Sequence, residues 1–150
     1  MALVTTLEMD GTKTIPAPNE IGKIYEHEFV INTVAATGGT PLGIGDFVQL
    51  GYKPAEAVIV EASIGEDSAV GVGATVVELG YADALVTTTI STTLVAAAVP
   101  DNTVAMTQVF EDAAIEAPKD DEDTGLLALE ITTEAEIAGV IFVRIRYRAA

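Results

Sequence analysis

The chain of 150 residues contains no cysteine and no tryptophan, a single histidine, and seven basic residues against twenty-three acidic ones. Without cysteine there are no disulfides, no thiolate metal sites and no thiol catalysis, which suits assembly in a reducing cytoplasm. One histidine cannot supply the multi-imidazole sets typical of transition-metal centres. Sugar-cleaving sites usually present aromatic platforms, and this chain has no tryptophan and 5% aromatic residues. Any two of the many acids could still converge as a hydrolytic pair. Basic residues are scarce enough to leave a formal charge of -16. That charge argues against direct nucleic-acid binding, which needs a basic footprint to displace counterions, and it keeps the free chain soluble. No uncharged apolar run reaches the ~18 residues of a membrane span. The closest approach, Ala84 to Pro100, is interrupted by six Thr or Ser and ends in proline. Met1 to Glu8 has neither a basic nor an apolar leader region, which predicts synthesis without an export signal.

Apolar residues make up 49% of the chain and mean hydropathy is +0.41, values unlike those of disordered segments. Long Val and Thr runs such as Val86-Thr87-Thr88-Thr89-Ile90 fit a pleated surface better than a helix. Eight strand-like runs separated by turn signals fall at Ile24–Val34, Asp46–Leu50, Glu56–Ile64, Ala74–Tyr81, Leu85–Val99, Thr103–Phe110, Leu127–Thr133 and Ile141–Arg148. Strict alternation places Val58, Val60, Ala62 and Ile64 on one face, and likewise Leu127, Leu129, Ile131 and Thr133. Only Tyr81–Thr87 and Thr133–Ala138 have room for a helical turn. The expectation is an all-β antiparallel β-sandwich or jelly roll of about eight strands over residues 24–150. Residues 1–23, with Gly11, Pro16, Pro18, Asn19 and Gly22, carry no sustained period. They predict an extended N-terminal arm, either frayed or draped over a partner.

Few residues of this sequence fall in patterns that support chemistry. His27 lies between Glu26 and Glu28, but alternation sends it to the opposite strand face from both, and a solvated position is expected. The acidic run Asp120-Asp121-Glu122-Asp123 suggests calcium, yet counting from Asp121 puts Leu126 where an EF-hand loop needs glycine. A solvated loop is expected there, with a loop cation left open. Gly71-Val72-Gly73-Ala74 lacks the third glycine of a dinucleotide fingerprint and leads into a strand. No serine sits in a nucleophile elbow or beside a histidine base. These readings predict no enzyme, no catalytic residue, no metal site and no cofactor.

Arg144, Arg146 and Arg148 alternate with Ile145 and Tyr147 on the last strand. They form a row of like charge that needs a carboxylate row opposite. Acids of the same chain, for instance Glu130, Glu134 and Glu136, would satisfy it internally. Alternatively the arginines face a neighbouring subunit, where bidentate pairing gives geometric specificity.

The stretch from Gly45-Asp46-Phe47 through Gly51-Tyr52-Lys53-Pro54-Ala55-Glu56-Ala57 to Ile64, followed by Gly73-Ala74-Thr75 and Leu79-Gly80, resembles a motif of tailed-phage virion proteins. There a Gly-Asp and apolar strand leads through a Leu-Pro-Ala-Gly-Ala turn into a second strand. The closing segment Gly139 to Tyr147 is similar to that family's last strand. Glu56 departs from the glycine usual in the turn. The resemblance covers residues 45–81 and 126–148 and implies an auxiliary capsid protein of the decoration or cement kind. Such a protein sits on the outside of the virion, often as a homotrimer, with the major capsid protein and itself as partners and neither nucleic acid nor membrane. The alternative from another class is a receptor- or glycan-binding head-fibre or tail-associated β module, for which Tyr25, Tyr52, Tyr81 and Tyr147 are the obvious aromatic donors.

Overall fold

A computed structural model describes residues 3–6, 8–9, 11, 13–32, 43–54, 57–66, 76–83, 88–98, 107–109, 123–133 and 140–149. Its strands are β1 (Leu3–Thr5), β2 (Tyr25–Asn32), β3 (Phe47–Tyr52), β4 (Ala57–Glu66), β5 (Val76–Asp83), β6 (Ile90–Ala98), β7 (Thr107–Val109), β8 (Asp123–Thr133) and β9 (Val140–Ala149). No helix occurs among the described residues. Where helical turns had room, residues 81–83 belong to β5 and Thr133 ends β8; the remainder of both stretches lies outside the described residues.

The strands form two sheets, ordered β1-β3-β8-β5-β6 and β2-β9-β4-β7. From β2 onward the pairs β2·β9, β3·β8, β4·β7 and β5·β6 are nested and all antiparallel. They describe one long hairpin, with β5 and β6 at its tip, that has rolled up. Rolling brings β9 beside β4 and β8 beside β5, closing each sheet. This is a jelly roll, the β-sandwich expected from the alternating runs. The ninth strand, β1, is short and pairs in parallel with β3 at the sheet edge.

Side-chain parity explains the core. On β2, Phe29 and Ile31 are buried while Glu26, Val30 and Asn32 are exposed; on β9, Ile141, Val143, Ile145 and Tyr147 are buried. These residues meet Val48, Leu50, Leu79, Leu94, Leu129 and others of the opposite sheet in one cluster. Fully burying each large aliphatic or aromatic side chain stabilises by about 1.5–3 kcal/mol. β4 departs from strict alternation. Its register with β9 shifts between Ile59 and Glu61, so Ala57 and Ile59 point inward before the irregularity and Ala62 and Ile64 after it. Val58 and Val60 are half-buried instead of core, because one extra residue reverses the faces of everything preceding it. β8 is buried on both sides: Leu127, Leu129 and Ile131 face the core, while Leu126 and Ala128 join Phe47 and Ala82 in a second apolar cluster.

Within the segment expected as an arm, β1 is a sheet strand and residues 13–20 run without regular secondary structure. Thr6 donates from its hydroxyl to Leu50 O (2.5 Å) and from its backbone to Gln49 O (3.2 Å). Ile15 packs on the main core, and the Tyr147 hydroxyl donates to Pro16 O. Burial first, and neighbouring Tyr25 second, push the Tyr147 hydroxyl above its ordinary value, so it remains a donor.

Gly51 permits the crossing. Its φ is +143°, and a Cβ there would stand 3.2 Å from Glu8 Cβ and 3.5 Å from Ile15 Cδ1. Replacement Gly51→Ala is therefore expected to cost about 1–3 kcal/mol through backbone strain and crowding. A chain of this size should lose about 2–4 °C of Tm for each of those kcal/mol. Gly43→Ala, whose added Cβ meets nothing within 4 Å, is the control and should leave Tm nearly unchanged. Equal Tm values for the two variants would refute the crowding account.

Candidate interaction surface

The outward face of β9 lies between β2 and β4, and register decides what the arginines meet. Glu28 is opposite Arg144 and Glu26 opposite Arg146 on one side; Ser63 is opposite Arg144 and Glu61 opposite Arg146 on the other. The Arg144 guanidinium reaches Glu28 Oε2 at 2.8 Å, and its Nε lies 3.2 Å from Glu26 Oε1 in an ion pair without hydrogen-bond alignment. Arg146 Nε donates to Glu26 Oε2 at 2.9 Å and its NH1 to Glu61 Oε2 at 3.2 Å. Glu26 thus bridges two arginines. The hydrogen bond to Glu26, then the nearby charge of Glu61, raises the Arg146 pKa above its ordinary value and leaves the group a fixed cation. Arg148 faces Val58 in register and donates to Ala149 O at 3.1 Å. Among the described residues it has no carboxylate within ion-pair distance.

Arg144 and Arg146 are therefore paired from within the chain, by Glu26, Glu28 and Glu61 and not by Glu130. Glu130 sits on β8 in the other sheet, opposite Glu78 and Phe47, while Glu134 and Glu136 lie outside the described residues. Being last in the nested hairpin, β9 is enclosed by β2 and β4, which brings their outward acids beside it. A sequence signal for this did exist: Glu26-His27-Glu28 and Arg144-Ile145-Arg146 share the period of two and carry opposite charge. Beyond the charged rows, Val30 and Gly65 flank Phe142 in register, giving one end of the face an apolar strip.

The outer face of the other sheet differs. Glu78 and Glu130 are cross-strand neighbours, and burial, then the Glu78 charge, raise the Glu130 carboxyl above its ordinary value. The Thr93 hydroxyl donates to Glu78 Oε1.

His27 requires a correction. It is not solvated: it is 7% exposed, lies edge-on to Phe29, and its Nε2 is 3.0 Å from Glu8 Oε1. The Glu8 side chain is itself only 3% exposed and also takes Lys13 Nζ at 3.2 Å on the same oxygen. The residue facing away from Glu26 and Glu28 is indeed on the opposite side of β2, but that side is roofed by the N-terminal segment. Burial alone would push the Glu8 carboxyl up; the bonds from His27, its own backbone, Lys13 and Thr6 together outweigh it and hold the pKa below the ordinary 4.5. Nothing in the local sequence around either residue marks this pair.

Among the described residues no group of three or more histidines and acids is placed to hold a metal ion. Asp123 begins β8, whereas residues 120–122 and the Gly71-Val72-Gly73-Ala74 stretch lie outside the described residues. The arrangement is one of fixed, mutually neutralised charge, suited to contact.

This fold has solved counterparts. The chain aligns over 99% of its length with 99% of a chain from the capsid of Ralstonia phage GP4, with a TM-score of 0.76 and 20% sequence identity. A chain of the cyanophage Pam1 capsid asymmetric unit aligns over 93% of this chain and 96% of its own, with a TM-score of 0.48 and 13% identity. No protein-family profile and no curated protein matches the sequence. At 20% identity the GP4 likeness is one of fold.

Because folding lowers the Glu8 pKa, the stability this carboxylate contributes is complete above pH 4.5 and is lost as pH falls through the lower folded value. At pH 7, Glu8→Gln is expected to destabilise by about 1–3 kcal/mol, as a charged partner of two buried or half-buried donors is removed. The gap between wild type and variant in urea midpoint should narrow as pH drops below 4.5. A gap that stays constant from pH 7 to acid would contradict this role.

Proposed function

We propose that this chain is a structural virion protein that decorates and stabilises the outside of a phage capsid, without chemistry of its own. One observation carries the reading: the end-to-end jelly-roll likeness to a chain of a phage capsid. The resemblance of residues 45–81 and 126–148 to tailed-phage virion proteins points the same way. Its partners on this reading are the major capsid protein and other copies of itself, clustered as a homotrimer, with neither nucleic acid nor membrane involved. A strongly acidic, rigid β body suits the role, since it stays soluble until it meets its lattice. Symmetric lattices multiply weak contacts through avidity, and a ligand that binds only the assembled shell must stabilise it.

The glycan-binding alternative has little to stand on among the described residues. Tyr81 and Tyr147 are buried, Tyr25 is half-buried and stacked on Tyr147, and only Tyr52 among the described tyrosines is mostly exposed.

Purified chain mixed with expanded heads of its cognate major capsid protein should sediment with them and raise the temperature at which they disrupt. Failure to co-sediment at micromolar concentration would overturn the assignment. Glycan-array binding by the same preparation would favour the alternative.

A further inference from the structure

Charge is spread unevenly over this molecule. Lys13, Lys23, Arg144, Arg146 and Arg148, five of the seven basic residues, lie on β9 or in the segment running to β2. The ion pairs among the described residues all fall in this region, at 2.8–3.6 Å, and engage five acids: Glu8, Glu20, Glu26, Glu28 and Glu61. On the outward face itself Arg144, Arg146 and Arg148 stand with Glu26, Glu28 and Glu61, three positive and three negative charges. The other four basic and twenty acidic residues of the chain account for the formal charge of -16.

Exposed apolar side chains gather on the same side. Of the five large hydrophobics exposed among the described residues, Ile21, Ile24 and Val30 belong to β2 or the turn leading into it. Val30 stands on the outward face beside Phe142, in line with the charged rows.

We infer that the outward face of β2, β9 and β4 is the surface through which one copy of this chain packs on another. Two bodies of charge -16 repel at separations within a Debye length, about 8–10 Å at physiological salt. Contact through the outer face of the other sheet would set the neighbouring Glu78 and Glu130 of one copy against those of the next. Contact through this one brings up a neutral ladder whose arginines and glutamates can exchange partners across the interface, and covers Val30 and its apolar neighbours. Arg148, without a carboxylate of its own among the described residues, is the cation most free to take a partner's acid. The inference takes self-association from the proposed function and adds to it the surface.

Sedimentation equilibrium of the full chain tests this. Wild type should give the mass of an oligomer at high micromolar concentration. Val30→Lys, at an exposed position outside the ion pairs, and Arg146→Glu should each weaken association by about ten-fold or more, a shift of ~1.4 kcal/mol. Tyr52→Lys, equally exposed but on the other sheet, should leave the mass unchanged. Melting curves check that each variant is folded; should Arg146→Glu unfold, Val30→Lys alone decides. A wild type that stays monomeric, or an oligomer indifferent to Val30→Lys, overturns the inference. Head co-sedimentation is scored separately: a monomeric wild type that still pellets with heads removes this surface but leaves the capsid reading standing. Loss of head binding by an intact wild-type oligomer does the reverse.

Discussion

The antiparallel enclosure of β9 between β2 and β4 is the constraint from which most of this structure follows. Ten residues at the end of the chain hydrogen-bond to a strand more than a hundred positions earlier on one side and to a mid-chain strand on the other. That enclosure closes the rolled hairpin into a sandwich. It turns Ile141, Val143, Ile145 and Tyr147 into the core and leaves the alternate positions facing out. With the inward face set by burial, the outward face has no freedom over which residues it presents. Arg144, Arg146 and Arg148 are on the surface because their neighbours are in the core.

The two faces of β9 do different physical work. Inside, each buried aliphatic or aromatic side chain is worth about 1.5–3 kcal/mol. Outside, partly exposed ion pairs are typically worth only ~0.2–1 kcal/mol each, since water screens them and long side chains must be ordered. The core therefore holds the fold, and the ladder sets register and surface charge. A one-residue slip of β9 would move Arg144 and Arg146 to the core face, a far larger penalty than the ion pairs could offset. The buried Glu8–His27 contact belongs to a third category. It lies away from water and ties the N-terminal segment across the sandwich beside Gly51, where only a residue without a Cβ leaves room.

Charge acts on a longer scale than either. The ladder balances three arginines with three glutamates on one face of a chain whose formal charge is -16. A net charge this far from zero opposes indiscriminate association of the free chain, whatever surface it uses for specific contact.

The strands from Tyr25 to Ala149, the inward and outward alternation of β9, the absence of thiol chemistry and the acidic balance were all determined by the sequence, because each depends on residue type or on a period of two along one strand. The bulge in β4 was not legible: it requires knowing the opposite strand, and it reversed the faces of Val58 and Val60. The partners of the arginines were half legible, as complementary patterns at Glu26/Glu28 and Arg144/Arg146, but only the rolling of the hairpin decided that these two strands lie side by side. His27 shows the limit most plainly. Alternation placed it correctly on the side away from its glutamates, yet whether that side meets water depended on a segment nineteen residues earlier crossing above it. Periodicity is local and reports direction, whereas burial and pairing belong to whatever the rest of the chain brings to that direction, and this the tertiary structure alone decided.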